Sequence, residues 1–384
     1  MTPPTVLGGP GVARAEFPVL ETCVYLNSNA SGAVPRGAKA VLDEYWRTLE
    51  RWRDEAWGGW WDDLHAYADE LAALIHAPAG SVVCDVNVST LLSRVLSCFD
   101  YRERPRIVTS DREFPALPHA IRAFGLYGAE PVIVPSRDGV EIDAERLIAE
   151  IDERTQLVCV SHATFETGAL LDVEPIVRRA REVGALVVLD AYQSVGVVPI
   201  DVMASGVDFV LGGAHKWLCG SYESAFLYVR PDLLPRLHPA ASGWIASADP
   251  LSFAPPAGWA DSARRFAGGT PAVLPALFSR PGLAILRGIG VDAIRRWSLE
   301  QTDHIIQRAD TAGLPVATPR AHERRGGIVV LRFPGADRVA RELIASGFVC
   351  SYRGGLRIAP HFYNTGQEID QFMDELVSRV REAA

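Results

Sequence analysis

Lysine is nearly absent from this sequence of 384 residues. Of its 38 basic residues only Lys39 and Lys216 are lysines, and the others are arginines. An arginine guanidinium supplies a permanent positive charge and does not lose its proton in proteins. A desolvated lysine amine can lose its proton and then form a Schiff base with a carbonyl group. The two lysines are therefore the first positions at which to look for covalent chemistry.

Other features that the sequence lacks exclude whole classes of protein. The six cysteines include no C-x-x-C pair, so a structural metal site is not expected. No apolar run has the length of a membrane-spanning helix, and the first residues contain no basic segment followed by an apolar core. The net charge of −9 gives no general attraction to nucleic acid or to an anionic membrane. These absences predict a cytoplasmic globular protein that binds neither.

Polar side chains follow two apolar runs in the middle of the chain. Leu186–Leu189 and Phe209–Leu211 have the composition of buried parallel strands. Asp190 follows the first run, and His215 and Lys216 follow the second. Open α/β sheets bind ligands outside the carboxyl ends of such strands. Lys216 is therefore a candidate covalent residue, although a surface lysine whose amine reaches solvent would fit the same pattern.

A carboxylate near the lysine indicates a particular cofactor. Pyridoxal phosphate (PLP) withdraws electrons when its ring nitrogen stays protonated, which requires a carboxylate partner close to the lysine that holds it. Asp190 meets this requirement, and Gln193 could donate a hydrogen bond to the phenolic oxygen. The alternative is that Asp190 forms a turn and that Gln193 is solvated.

These residues belong to motifs with a known resemblance. D-A-x-Q, beginning at Asp190, and H-K-W-L, beginning at His215, resemble motifs of the class V aminotransferase family of fold-type I PLP-dependent enzymes. Leu356–Asp370 is similar to the family's R-[IL]-x-P-x-x-Y-N-T-x-x-E-[IL]-D. The family includes cysteine desulfurases, kynureninases, C–S lyases and epimerase-like proteins. The resemblance extends from Tyr25 to about Asp370 and covers nearly the whole chain.

The order of the apolar runs agrees with this resemblance. Strands and helices alternate through the middle of the chain, which predicts an α/β fold with a mostly parallel mixed sheet sandwiched by helices. A long helical pattern over residues 271–312 leads to a smaller α+β C-terminal domain. We predict an N-terminal arm (1–35), a large PLP-binding domain (36–265) and a small domain that includes the connecting helix (266–384).

The resemblance also implies which residues bind the cofactor. They are Lys216, Asp190, Gln193, His215, Phe114, Ser89, Thr90, Thr164 and Thr270. Phe114, in a segment similar to the kynureninase E/A-F-P-S, would stack on the ring unless it is an ordinary core residue. Ser89, or its neighbour Thr90, would bind the phosphate at the start of a helix, where free N–H groups face an anion. Thr164 would lie near the phenolic oxygen.

Three further positions complete the site that the resemblance implies. Arg357 would bind the substrate α-carboxylate, because a guanidinium and a carboxylate form two parallel hydrogen bonds. Asn29 and Trp244 are candidate substrate-binding residues. Thr270 would reach the phosphate of a neighbouring subunit, which predicts a homodimer with shared sites.

Departures from the family pattern leave the reaction open. Desulfurases and kynureninases normally have a Ser three residues before the lysine, contacting the phosphate, where this chain has Gly213. His215, Ser89 or backbone amides would have to replace the lost hydroxyl. Desulfurases also need a mobile cysteine, and Cys350 lies in a segment with the pattern of a strand. Gln193 stands where kynureninases have a His.

We predict a PLP-dependent lyase that cleaves the side chain of an L-α-amino acid at a Cβ–S or Cβ–Cγ bond. An aminotransferase, or an epimerase or decarboxylating enzyme on the same scaffold, is the alternative. Gly213 also leaves open a protein that holds PLP without turnover. Five tryptophans between Trp46 and Trp61 could line a pocket, form a dimer interface or pack helices together.

Overall fold

The structure is a computed structural model that describes residues 11–53, 55–255 and 258–382. Its helices are α1 (Gly37–Glu50), α2 (Glu55–Leu74), α3 (Val88–Leu96), α4 (Ala116–Ala123), α5 (Ala144–Ala149), α6 (Glu174–Val183), α7 (Val202–Ser205), α8 (Val273–Ile289), α9 (Val291–Thr311), α10 (Ala336–Ala345) and α11 (Gly366–Glu382). Its strands are β1 (Val24–Tyr25), β2 (Val82–Asp85), β3 (Arg106–Ser110), β4 (Glu130–Val134), β5 (Thr155–Ser161), β6 (Leu186–Asp190), β7 (Phe209–Gly213), β8 (Ala225–Val229), β9 (Val329–Leu331), β10 (Phe348–Val349), β11 (Ser351–Tyr352) and β12 (Leu356–Ile358).

The central sheet contains seven strands in the order β2-β8-β7-β6-β5-β3-β4. The five strands β3 to β7 are parallel to one another. Strand β8 pairs antiparallel with both β7 and β2. The predicted α/β fold with a mostly parallel mixed sheet is therefore confirmed. Because the parallel strands run the same way, Ser161, Asp190 and Gly213 lie at the same edge of the sheet.

Helices bury both faces of this sheet. In β5, Val158 and Val160 belong to one apolar layer, whereas Leu157 and Cys159 belong to the other. Helices α2, α5, α6 and α8 cover the first layer, and α3 and α4 cover the second. Since neither face of the central strands meets water, the runs Leu157–Val160, Leu186–Leu189 and Phe209–Leu211 are apolar and do not alternate with polar residues.

The C-terminal part of the chain forms a separate small sheet in the order β11-β12-β9, with antiparallel pairs. Helices α9, α10 and α11 contribute to an apolar core beside it. The N-terminal segment joins this core, because β1 pairs parallel with β10 and Leu26 is buried there. This region has the α+β composition that the sequence predicts, and the proposed domain boundaries stay predictions. Residues 1–10 of the predicted arm lie outside the described residues.

Two predicted elements are divided in the structure. The helical pattern of residues 271–312 breaks into α8 and α9 at Gly290, whose φ of +88° lies outside the helical range. The segment Phe348–Tyr352 divides at Cys350, because β10 pairs with β1 while β11 pairs with β12.

The tryptophans pack α1 against α2. Trp60 is buried and contacts Tyr45, Trp52 and Trp57 at ring-centroid distances of 5.0, 5.5 and 5.7 Å. Trp46 leaves 62% of its surface exposed. This geometry favours helix packing among the three alternatives that the sequence left open. Among the helices described here, none is long and apolar enough to cross a membrane.

Candidate active site

A cavity of about 340 Å³ opens at the carboxyl ends of the parallel strands. Its volume falls within the usual range of small-molecule sites, roughly 300–1,000 Å³. The side chains that line it come from both sheets and from the N-terminal segment: Asn29, Ala30, Asn87, Val88, Ser89, Phe114, Ala116, Ser161, Ala163, Phe165, Asp190, Tyr192, Gln193, His215, Lys216, Arg353 and Arg357. Most of the residues that the sequence analysis proposed are thus brought together, although their roles stay predictions.

Lys216 projects into this cavity from the turn after β7. Gly32 packs on that turn and donates its N–H to the His215 carbonyl at 2.7 Å, and a side chain at Gly32 would place Cβ 1.9 Å from the Lys216 oxygen. The Lys216 amine lies 4.7 Å from the ring centroid of Tyr192 and 5.6 Å from that of Phe114. Burial lowers the pKa of the amine to about 8, against the opposing effect of the Asp190 charge. A substantial fraction of Lys216 is therefore unprotonated in mildly alkaline solution.

Asp190 is a buried carboxylate at the end of β6. It is 6% exposed, and one oxygen accepts a hydrogen bond from the backbone N–H of Tyr192 at 2.9 Å. Burial raises its pKa, while this hydrogen bond and the charge of Lys216 act in the opposite direction. Gln193 is held at both ends, because its amide donates to the Asn29 carbonyl at 2.9 Å and accepts from Trp217 at 3.1 Å.

Ser89 lines the cavity near the start of α3, whereas Thr90 does not. Asn87 caps the helix by accepting a hydrogen bond from the Thr90 N–H at 2.9 Å. The Thr90 hydroxyl donates to the same Asn87 oxygen at 3.0 Å. The structure therefore favours Ser89 over Thr90 as the hydroxyl that an anion in the cavity would meet.

Tyr192 fills the space that the missing serine leaves. A side chain at Gly213 would place its Cβ 2.0 Å from the Tyr192 hydroxyl and 2.1 Å from the adjoining ring carbon. The same hydroxyl lies 2.9 Å from Nδ1 of His215, whose ring stacks on Tyr222 at 4.6 Å. Burial lowers the pKa of His215 to about 4, so this imidazole is neutral at pH 7. The hydroxyl of Tyr192 therefore lies where a side chain at position 213 would begin.

Four predicted site residues, Thr90, Thr164, Trp244 and Thr270, do not line the cavity of this chain, and their roles stay predictions. Thr164 is buried, and its hydroxyl is engaged with that of Thr167 at 2.7 Å, so it has no free approach to the cavity. Trp244 stacks on Phe253 at 5.7 Å, outside the cavity. Thr270 lies in another groove, beside Trp61, and its predicted role concerns a neighbouring subunit.

Arg357 and Asn29 each present a buried polar atom that finds no hydrogen-bond partner among the described residues. Arg357 is 5% exposed, and its Nη1 donates to the Phe165 carbonyl at 3.0 Å. Its Nε is buried and has no hydrogen-bond partner within the described residues, and the same is true of Oδ1 of Asn29. The Asn29 amide nitrogen donates to Ser351 at 3.3 Å. Buried polar atoms are costly without a partner, so these two atoms indicate a place for a ligand.

Cys350 does not line the cavity. It is 2% exposed, and burial raises the pKa of its thiol to about 12. A thiol of this kind is a poor nucleophile, because the reactive form is the thiolate. Within the described part of the chain, no three His, Cys, Asp or Glu side chains are grouped so that they could hold a metal ion.

Glu113 is a buried acid that the sequence analysis did not single out. It is 6% exposed and accepts hydrogen bonds of 2.5 Å from both Ser110 and Ser161. Ser161 lines the cavity and is the register partner of Asp190 in the neighbouring strand. Burial is the main cause that raises the pKa of Glu113 to about 7, and the Asp190 charge adds to it. Local sequence offers no signal for this burial, because Glu113 is the first residue of a motif in which the Phe is the expected cofactor contact.

Glu113 makes stability depend on pH. Between its ordinary pKa of 4.5 and about 7 it holds its proton in the folded chain but releases it in the unfolded chain. The folded state is therefore favoured most below pH 4.5, and this contribution is lost as the pH rises. In the wild type, the free energy of unfolding should fall by on the order of 3 kcal/mol across this window because of Glu113. We expect this fall to be absent in Glu113→Gln.

Denaturant titration of the wild type and Glu113→Gln at several pH values measures this difference. Glu145→Gln is the matched control, since that side chain is 84% exposed. Parallel stability curves for the wild type and Glu113→Gln would show that Glu113 does not titrate as its surroundings indicate.

The fold, with a half-buried lysine and a buried carboxylate that line one cavity, is that of a fold-type I PLP-dependent enzyme. The profile of the family described as Aminotransferase class-V matches residues 24–372. The chain therefore belongs to the class V aminotransferase family.

Two curated relatives illustrate the range of that family. The protein called uncharacterized aminotransferase YcbU of Bacillus subtilis is 32% identical over 367 residues, which are 95% of this chain and 97% of that protein. A kynureninase of Pseudomonas fluorescens is 30% identical over 361 residues, covering 88% of this chain and 84% of that one.

Solved structures share the fold at lower identity. The apo structure of a cysteine desulfurase from Thermococcus onnurineus NA1 superposes with a TM-score of 0.85 at 21% identity, covering 98% of this chain and 99% of that one. The cystine C–S lyase C-DES, in complex with cysteine persulfide, gives a TM-score of 0.86 at 21% identity and covers 94% and 99%. These likenesses establish the fold.

PLP is the cofactor of this family, and the cavity fits it. The unpartnered atoms of Asn29 and Arg357 leave hydrogen-bonding capacity for a ligand. Lys216 has the lowered pKa that attachment to a carbonyl group requires, and Asp190 provides the buried carboxylate.

Proposed function

We propose that this PLP-dependent enzyme cleaves the side chain of an L-α-amino acid at a Cβ–S or Cβ–Cγ bond. The observation that carries the proposal is that Lys216, Asp190 and Arg357 line a single cavity. Relatives called kynureninase match 88% of this chain and support a lyase. The relative called an aminotransferase supports transamination as the second candidate.

Each residue would contribute one property to the reaction. Bound PLP supplies an electron sink for charge that develops on the substrate. Lys216 would hold the cofactor and then, once its amine is free, accept the proton from Cα. Asp190 would keep a proton on the ring nitrogen. Arg357 would hold the α-carboxylate and so fix which bond at Cα is broken.

The remaining residues would position the cofactor. Phe114 is 40% exposed in the cavity and packs edge-to-face on Phe165 at 5.3 Å, so its free face is available for a flat ring. Ser89 and His215 would contact the phosphate group of the cofactor. The resemblance further leads us to propose a cytoplasmic homodimer in which Thr270 reaches the phosphate in the neighbouring subunit's site. A monomer in sedimentation analysis would contradict this proposal.

Product analysis separates the two candidate reactions. Purified, PLP-loaded protein is incubated with a panel of L-amino acids, and alanine, pyruvate, released thiol and keto acids are quantified. A lyase turns over repeatedly without added keto acid. An aminotransferase stops after one turnover until a keto acid is supplied. Release of none of the lyase products from any amino acid would reject the first candidate.

Replacing Arg357 with glutamine should raise KM for the amino acid by about 100-fold, because a charge-assisted bidentate pair of this kind is worth about 3 kcal/mol. Steady-state kinetics measures the change. Arg341→Gln, on the exposed side of α10, is the control and should leave KM unchanged. An unchanged KM in Arg357→Gln would mean that another group binds the carboxylate.

A further inference from the structure

A second arginine reaches the cavity from the hairpin that carries Arg357. In that hairpin Ser351 is the register partner of Arg357, and Arg353 follows in the turn between β11 and β12. The turn is closed by a hydrogen bond of 2.9 Å from the Arg353 N–H to the Gly355 carbonyl, with Gly354 at a φ of +67°. Both arginines line the cavity. Arg353 is exposed, whereas Arg357 is buried, so Arg353 lies nearer to solvent.

Arg353 carries a guanidinium that forms no salt bridge with any described residue. In the part of the chain that the structure describes, no carboxylate lies within 4.0 Å of its guanidinium. Its charge is one of the causes that lower the pKa of both Lys216 and Arg357. The nearby Glu166 is paired with Arg112 at 3.2 Å.

Among the described side chains, the cavity therefore has more positive charges than acidic ones. Among its described lining residues, Asp190 is the acid, while Lys216, Arg353 and Arg357 are the bases. Asp190 is assigned to the ring nitrogen, and Lys216 holds the cofactor. Arg357 is assigned to the α-carboxylate. An amino acid with a neutral side chain would offer Arg353 no anionic partner.

We propose that the substrate carries a second anionic group, such as a carboxylate, on its side chain, and that Arg353 binds it. This inference rests on the proposed function and names the substrate class of the same site. A guanidinium matches the planar geometry of a carboxylate and recognises it through charge-assisted hydrogen bonds. A neutral amide of the same size cannot neutralise that charge, so the site discriminates by charge and not by volume.

Pairs of amino acids that differ in charge but not in size test the proposal. L-aspartate is compared with L-asparagine, and L-glutamate with L-glutamine, by titrating the PLP-loaded protein and following the visible absorption of the cofactor. We expect the acidic member of at least one pair to bind more tightly by about tenfold or more. Arg353→Gln should abolish this preference, and Arg353→Lys should retain part of it. The affinity for L-alanine, which has no second anionic group, should change far less in Arg353→Gln than the affinity for the acidic amino acid.

Other outcomes overturn the inference and identify the reason. Equal binding of acid and amide, or a preference that survives Arg353→Gln, shows that Arg353 does not bind a substrate anion. A larger dissociation constant for PLP itself in Arg353→Gln than in the wild type, measured with the apoprotein, shows that the guanidinium binds the cofactor. Binding of neutral amino acids alone leaves the proposed lyase intact, whereas no spectral response to any amino acid rejects the proposed function as well.

Discussion

Replacing Lys216 with alanine is expected to lower kcat by at least about 10³-fold, because in the proposed function one side chain would both hold the cofactor and accept the Cα proton. Arginine cannot substitute, since its guanidinium keeps its proton. Steady-state turnover measures the loss. Borohydride reduction of the PLP-loaded wild type, followed by peptide mass mapping, should place the cofactor's mass on the peptide that contains Lys216.

The composition of the chain provides the control for this experiment. Lys39 is the only other lysine, and it is exposed on α1. Lys39→Ala should retain full activity and the same labelled peptide. Label on the Lys39 peptide, or a fully active Lys216→Ala protein, would refute the assignment of the covalent residue.

Asp190→Asn should lower kcat by about 10²–10³-fold, since removing one partner of a buried hydrogen-bonded charge pair costs roughly 2–5 kcal/mol. The substitution preserves size, and the amide oxygen can still accept the 2.9 Å hydrogen bond from the Tyr192 N–H. The fold should therefore be retained while the negative charge is lost. The visible absorption of bound PLP should change together with kcat, because the charge acts on the cofactor ring.

A neutral substitution elsewhere separates this effect from general loss of charge. Asp43 is exposed on α1, and Asp43→Asn should leave both kcat and the spectrum unchanged. If Asp190→Asn loses activity only through a lower melting temperature, with an unaltered cofactor spectrum, the carboxylate has a structural role instead.

The sequence predicts the sheet and the centre of the site because both depend on local pattern. Apolar runs identify parallel strands, and parallel strands end at one edge, so Asp190 and Lys216 had to lie near each other. Arg357 could be identified only through a motif, because the cavity that it lines is formed by segments that are far apart in the sequence.

The remaining site residues depend on contacts between distant segments. Tyr192 occupies the variable position of D-A-x-Q, and its contact with Gly213 appears only when two strands are adjacent. Arg353 gave no sequence signal because nothing local distinguishes it from the other arginines. Thr164 matched its motif, yet its hydroxyl is taken by Thr167.

The contact between Tyr192 and Gly213 restricts the order in which this chain can evolve. A side chain at 213 would overlap the phenol in its present position, so a change of the glycine is accommodated most easily after the tyrosine has become smaller. In the reverse order the Tyr192 side chain has to move and give up its contact with His215. The two positions are therefore expected to covary among relatives, and a serine at 213 should be inherited together with a small residue at 192.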